Sequence, residues 1–347
     1  MDEREYWRNE RVAFLALTTL KGVGFWTLHK IADQGIGFKD ALKNPEKAGL
    51  EKHYPKSVEC DDFQETLWAK GIEQARDLSA AGIRVYFRGE PDFPEKLSVI
   101  SDPPQWVFVQ GNASNLNKPA VAVVGTRKPS EDGLFLTRLV LAAISKFNCV
   151  SVSGLALGID QACHSESIRY KVPTIAILGT GILNNYPKGS EQLREQILAK
   201  GGTVLSEYLP HQSYSSENFV RRNRLQAALC EVLIPAEWKI KSGTAHTVKY
   251  AHKYGKKIIN IYLPLTKDDR PEIDFSLKEY GAQAFEAPFE MQGLIQNIAH
   301  ELISPAENLT SSEIVENQIT EQYVQQEPAE SSPQDNENIN DPQLPLI

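Results

Sequence analysis

Val121-Ala122-Val123-Val124-Gly125-Thr126-Arg127 is the stretch that decides the fold. Four apolar residues in a row, without polar alternation, suit a strand buried on both faces. The run then stops at a glycine, a hydroxyl and a cation. The same pattern recurs downstream. Val150-Ser151-Val152 leads into Ser153-Gly154-Leu155-Ala156-Leu157-Gly158-Ile159-Asp160, and Thr174-Ile175-Ala176-Ile177-Leu178 leads into Gly179-Thr180-Gly181 and on to Tyr186-Pro187-Lys188. Thr203-Val204-Leu205 precedes Ser206-Glu207, Val232-Leu233-Ile234 precedes Lys241-Ser242-Gly243-Thr244, and Ile258-Ile259-Asn260-Ile261 follows. Each run is separated from the next by enough chain for a helix. Strands alternating with helices predict parallel βαβ units with right-handed crossovers, hence an α/β protein built on an open, doubly wound sheet.

Outside this block the pattern changes. Ile83-Arg84-Val85-Tyr86-Phe87 and Trp106-Val107-Phe108-Val109 read as strands, with Asp92-Phe93-Pro94 and Asp102-Pro103-Pro104 marking loops between them. Residues 8–70 carry apolar positions at helical spacing, among them Val12, Leu15, Leu20, Leu28 and Ile31. Gly22-Val23-Gly24 breaks that helical segment. The break reads either as a plain tight turn or as a helix-hairpin-helix-like turn whose backbone N–H groups can hold a phosphate. The expected organisation is a helical unit over 1–75, the sheet domain over 76–304 and a tail over 305–347.

The formal charge of −8 is unevenly placed. The tail holds nine acidic residues and no Lys or Arg, so residues 1–304 carry +1. Rich in Gln, Asn, Ser, Glu and Pro, the tail is too poor in apolar residues to offset the entropy of ordering, and it is expected to be disordered. Overall acidity therefore does not exclude an anionic ligand for the folded part. Phe219 to Lys257 is strongly basic, with its densest cluster at Arg221-Arg222-Asn223-Arg224. No run approaches the ~18 apolar residues of a membrane span, and the charged N-terminus lacks the apolar centre of a signal peptide. Four cysteines without a CxxC pair point to small core residues in a reducing, cytoplasmic setting and away from zinc.

In a doubly wound sheet, ligands bind beyond the carboxyl ends of the strands. The residues there are glycines, hydroxyls and cations, the chemistry of an anion cradle. Neither GxGxxG nor GxxxxGK[ST] is present, so no dinucleotide or P-loop cofactor is expected. A polymeric anion fits better: nucleic acid, gripped by phosphate contacts.

These motifs together resemble the DprA/Smf DNA-processing family over roughly residues 85–264. The resemblance rests on Asp92-Phe93-Pro94 with Asp102-Pro103-Pro104, on Val121 to Arg127, and on Ser153 to Asp160 with His164. Tyr186-Pro187, Phe219-Val220-Arg221-Arg222-Asn223-Arg224, and Ser242-Gly243-Thr244 with Thr247 and Ala251 complete it. It implies an extended Rossmann-like fold with a helix-hairpin-helix-type N-terminal domain, single-stranded DNA as ligand, homodimers, and help in loading RecA recombinase during natural transformation. It implies no enzyme activity. By the same resemblance the DNA pocket maps onto Gly125, Arg127, Ser153, Gly154, Arg222, Asn223, Arg224, Ser242 and Gly243, with Lys188 and Lys241 peripheral. Arg127, Arg222 and Arg224 are the expected phosphate contacts. Asp160 is expected to order its glycine-rich loop, and His164 to pack structurally, since neither has a catalytic partner in view.

The chain departs from the family pattern at Leu233-Ile234-Pro235-Ala236-Glu237-Trp238, where members show a valine-rich strand ending in Glu-Ala, and at Leu263-Pro264-Leu265 in place of Pro-Gly. An acidic tail stands where many members carry a winged helix. These differences bear on transformation and RecA more than on the pocket. The terminal Gln343-Leu344-Pro345-Leu346-Ile347 resembles a sliding-clamp-binding peptide. The competing readings are a nucleotide-binding sensor and a nucleotide hydrolase, the second suggested by Ser242-Gly243-Thr244 standing where related folds carry a Gly-Gly-x-Gly-Thr loop.

Overall fold

The computed structural model describes residues 2–55 and 60–303. The acidic tail and its terminal peptide lie outside the described residues. Four helices come first: α1 (Glu3–Thr18), α2 (Phe25–Asp33), α3 (Phe38–Lys43) and α4 (Cys60–Ala80). Strand β1 (Ile83–Phe87), the short helix α5 (Glu95–Ser98) and β2 (Trp106–Gly111) follow. The alternating block then runs β3 (Ala120–Gly125), α6 (Glu131–Ile144), β4 (Val150–Ser153), α7 (Ile159–Arg169), β5 (Thr174–Ile177), α8 (Glu191–Ala199) and β6 (Thr203–Ser206). It continues through α9 (Ser216–Leu229), β7 (Val232–Glu237), α10 (Gly243–Lys253) and β8 (Lys257–Tyr262), then ends with α11 (Pro271–Tyr280), β9 (Gln283–Glu286) and α12 (Met291–Leu302).

All nine strands join one sheet in the order β1-β2-β6-β5-β4-β3-β7-β8-β9. From β6 to β9 every pair is parallel, and β2 and β1 extend the sheet antiparallel beyond β6. The chain leaves β3 outward through β4, β5 and β6, then returns to place β7 on the other side of β3. That reversal makes β3/β7 the topological switch point, where a doubly wound sheet opens a crevice at its carboxyl edge.

The uninterrupted apolar runs have a direct cause. Val121 and Val123 pack under α6 and α12, whereas Ala120, Ala122 and Val124 pack on the opposite face with residues of α9 and α10. Register carries this across the sheet: Ala122 lies beside Val152 and Leu233, and Val152 beside Ile175. Both faces are dry, so alternation would place polar groups in a core.

The N-terminal helices cover the remaining part of one face. Phe14 of α1, with no exposed surface, meets the rings of Phe38, Phe87 and Trp106 at centroid distances of 4.9, 5.3 and 4.8 Å. That cluster includes Leu15, Leu28 and Leu67 from the helices together with Val85, Phe108 and Val204 from the strands. Gly22-Val23-Gly24 forms the turn between α1 and α2, with Gly22 at φ +87° and the His53 ring packed where a β-carbon would stand. His53 Nδ1 lies 2.9 Å from the Lys21 carbonyl oxygen.

Candidate nucleic-acid interface

A groove of ≈ 580 Å³ opens at the switch point. Its walls come from the β3–α6 loop, the start of α7, the β5–α8 loop, the face of α9 and the start of α10. Helical geometry decides which part of the Arg cluster faces it. On α9, Phe219, Arg222, Asn223 and Gln226 recur at spacings of three and four and share one face, all lining the groove. Arg224 sits two residues, about 200°, from Arg222 on a helix of 3.6 residues per turn, and so points elsewhere.

Where Arg224 goes corrects the expectation that it contacts phosphate. Its guanidinium has no exposed surface. Nη1 and Nη2 donate to the two Glu207 carboxylate oxygens at 2.6 and 2.7 Å, and Nε donates to the Asp102 carbonyl at 2.8 Å. Burial acts to lower its pKa, but the Glu207 charge and hydrogen bonds hold the guanidinium above its ordinary value. Arg221 shares this flank, within 3.7 Å of Glu207 and stacked over Trp26 at 4.8 Å. These two arginines tie α9 to the loops after β6 and before β2, and to α2.

Arg222 is also buried, but it lines the groove floor. Its Nη1 donates to the Ile177 carbonyl at the end of β5. Burial lowers its pKa, Asp160 and Tyr208 oppose that, and the nearby Arg127 adds to it. Asp160 is shifted the other way. Burial raises its carboxyl pKa, while Arg222, the Ser153 hydroxyl and the backbone N–H groups of Ala156 and Gly154 pull it down.

This changes the meaning of Ser153-Gly154. Both residues are buried and neither lines the groove. The Ser153 hydroxyl donates to the Val123 carbonyl at 2.7 Å. The N–H of Gly154 turns to Asp160, so the anion in this nest is the protein's own carboxylate. Gly154 is glycine because a β-carbon would collide with the Arg222 guanidinium and come within 2.5 Å of Gln226 Nε2. Gly125 is likewise a packing glycine, since a β-carbon there would stand 2.6 Å from Ile159 and 2.7 Å from the Glu237 carbonyl.

Six of the expected residues do meet at the groove: Gly125, Arg127, Arg222, Asn223, Ser242 and Gly243. Arg127 is exposed and makes no ion pair among the described residues; its guanidinium lies 5.4 Å from the Phe219 ring centroid. Asn223 Nδ2 donates to the Gly243 carbonyl at 3.0 Å, and Thr244 Oγ1 donates to the Gly125 carbonyl at 3.0 Å. These bonds fix the start of α10 against β3 and α9, with Gly243 exposed and open space where its side chain would be. Lys188 and Lys241 are exposed but outside the groove lining.

One wall went unnamed from sequence. Tyr186, Tyr214 and Phe219 form an aromatic cluster, with centroids 4.5 Å apart for Tyr186–Tyr214 and 5.1 Å for Tyr186–Phe219. All three line the groove, and Tyr214 is 57% exposed. Gly179 admits the Phe219 ring where a β-carbon would clash. The signal available beforehand was the conjunction of Tyr186-Pro187 and Phe219 with family motifs, but only the fold brings the three segments together.

His164, on the buried side of α7, is fully buried, its Nδ1 2.8 Å from Thr174 Oγ1 and its Nε2 without a partner. Ser151, Ser167 and Thr174 form the adjoining hydroxyl cluster. Among the described residues, no group of three or more His, Cys, Asp or Glu gathers in a metal-binding arrangement, and no helix is long and apolar enough to cross a membrane.

Comparison with known proteins agrees with this architecture. Residues 84–293 match the family described as DNA recombination-mediator protein A. Protein Smf of Synechocystis is 38% identical over 267 residues, covering 73% of this chain and 65% of that protein. The chain therefore spans slightly less than two thirds of that relative. The X-ray structure of DprA from Streptococcus pneumoniae superposes with a TM-score of 0.60 at 27% identity, covering 82% of this chain and 97% of that one. DNA processing protein A from Helicobacter pylori, a protein with a described single-stranded DNA binding mode, superposes with a TM-score of 0.55 at 26% identity, covering 63% of this chain and 96% of that one.

Burial depresses the His164 pKa from 6.5 to about 3, with the Arg222 charge adding to the effect. The folded protein thus refuses a proton that the unfolded chain accepts below pH 6.5. The stability this contributes is complete above that pH and declines as pH falls toward 3, by about 2 kcal/mol between pH 6.5 and 5. Urea unfolding of wild type and His164→Gln across this range checks it: the variant should lack this part of the decline, and equal slopes would remove His164 as its source.

Proposed function

The chain belongs to the DNA recombination-mediator protein A family, and on that premise we propose that the groove at the β3/β7 switch point binds single-stranded DNA. The observation that carries this reading is the pairing of an aromatic wall with an uncommitted cation. Tyr186, Tyr214 and Phe219 offer π-faces to bases, while Arg127, held against Phe219, offers a fork to phosphate. The exposed start of α10 adds N–H groups of the kind that favour negative charge. Stacking and phosphate contacts tolerate any sequence, so binding is broad in base composition. A duplex keeps its bases stacked inward and offers this wall nothing, which favours the single strand.

The finer reading follows the family. The bound strand is incoming DNA, shielded by a homodimer and passed to RecA recombinase; in this reading the clamp-like peptide, outside the described residues, adds a contact to the sliding clamp. No chemical step belongs to the groove in this reading. Asp160, its floor carboxyl, is taken up by the loop that it orders, and His164 is fully buried on the inner side of α7. A mononucleotide could stack one base on the same wall, so binding of a strand is what separates the readings.

Mobility-shift titrations with single- and double-stranded oligonucleotides test the binding. Tyr214→Ala should weaken single-strand binding roughly 5- to 100-fold, since one stacked base contributes about 1–3 kcal/mol. Arg127→Ala should weaken it and reduce the log–log salt slope by about one. Preference for duplex, or wild-type behaviour in both variants, would refute it. For the finer reading, RecA filament assembly on strands pre-coated with single-strand-binding protein should accelerate with wild type and not with Arg127→Ala; no acceleration with wild type would remove the mediator role while leaving DNA binding intact.

A further inference from the structure

Trp26 is the most exposed tryptophan of the described residues, at 61%, and it stands away from the groove. A lone exposed ring is ordinary on a protein surface, but this one is also held by its neighbours. It is not loose. The Arg221 guanidinium lies 4.8 Å from its centroid, Phe25 meets it edge-on at 5.1 Å, and His29 is 5.6 Å away. Arg221 lies between Val220 and Arg222, both of which line the groove. The aromatic wall and Trp26 thus occupy two flanks of one helix, α9, whose diameter is about 10–12 Å.

One loop contributes to both sides. Tyr214 and Ser216 line the groove, while Leu209, Pro210, His211 and Gln212 of the same loop line a second cleft of ≈ 590 Å³. Gly24 and Phe25, the residues just before Trp26, form part of that cleft. The loop is pinned by the Asn184 side chain, which donates to the Gln212 carbonyl at 2.7 Å, and by the Gly181 N–H, which donates to the same carbonyl at 2.8 Å. Glu73 and Asp77 of α4 also line the second cleft and oppose phosphate at its far wall.

We infer that Trp26 is a second stacking platform, engaging single-stranded DNA that leaves the groove across the start of α9. The inference rests on the proposed function of the groove and extends its footprint to the N-terminal helices. Arg221 backs one face of the indole and holds it in place, and the open face takes a base. The carboxylates of α4 keep the strand over the loop and α9 and out of the cleft floor. A strand spaced at about 3.4 Å or more per nucleotide crosses this helix in roughly three or four nucleotides, so a trinucleotide can be held in the groove alone and a much longer strand reaches Trp26.

The test uses the full chain with labelled oligo-dT of 3 and 20 nucleotides. Anisotropy should show Trp26→Ala binding the 20-mer about 5- to 100-fold more weakly than wild type, as loss of one stacked base implies, while the 3-mer binds as in wild type. Trp26→Phe should recover most of the loss. Tryptophan emission of wild type should be quenched by the 20-mer more than by the 3-mer, and the excess quenching should vanish in Trp26→Phe. Equal 20-mer affinity in wild type and Trp26→Ala, with no excess quenching, would overturn the inference and leave the ring to a protein partner. Equal losses for both lengths would overturn it as well, by making Trp26 a structural support of the groove. A wild type that binds neither length refutes the groove itself, which separates the two failures.

Discussion

Arg222 carries its charge into a position only 3% exposed, and the floor of the groove is arranged around it. A buried guanidinium without partners would cost several kcal/mol. Here the Ile177 carbonyl accepts one of its N–H groups, the Asp160 charge opposes the loss of water, and Gly154 leaves out a side chain to make room. Those three partners belong to the ends of β5 and β4 and the start of α7. Fixing Arg222 therefore fixes the roll of α9 over the sheet. That roll turns Phe219 and Asn223 toward the groove and sends Arg221 and Arg224 to the other flank. Asn223 in turn holds the start of α10, so the aromatic wall and the helix start are both set from one buried cation.

The sheet was legible because its strands are buried on both faces, which leaves a signal in the residues themselves. Val121 and Val123 feed one core, Ala122 and Val124 the other, and the apolar run records both at once. The carboxyl edge was legible as the place for a ligand, but the β3/β7 crevice itself depends on the strand order, which the apolar runs do not record. The extension of the sheet through β2 and β1 was less visible, because antiparallel strands of this kind can pair with each other without joining β6; the register of Phe108 beside Ser206 is a tertiary fact.

The site was legible by residue type and less so by direction. Arg221-Arg222-Asn223-Arg224 looks like one basic patch in a line of text, but a helix advances 100° per residue and divides it between two faces. Glu207, the partner that occupies Arg224, lies 17 residues away with nothing local to announce it. Ser153-Gly154 reads as an anion nest, and the group that fills it is the protein's own Asp160 carboxyl, from the first turn of α7 just beyond the loop. Glycine carries two meanings that sequence does not separate, approach of a ligand and packing of a neighbour. Gly154 and Gly125 have the second, and of these three candidate-site glycines Gly243 alone leaves open space.

The central claim is that Tyr186, Tyr214, Phe219 and Arg127 form a surface for an unpaired strand. Photo-crosslinking reads this most directly. A single-stranded oligonucleotide carrying 4-thiothymidine is irradiated with the full chain, and the adducts are mapped by peptide mass spectrometry. The account predicts adducts on Tyr186, Tyr214 or Phe219, suppressed by excess unlabelled single strand and not by duplex. Adducts confined to peptides away from the groove, with none on these three rings, would contradict it.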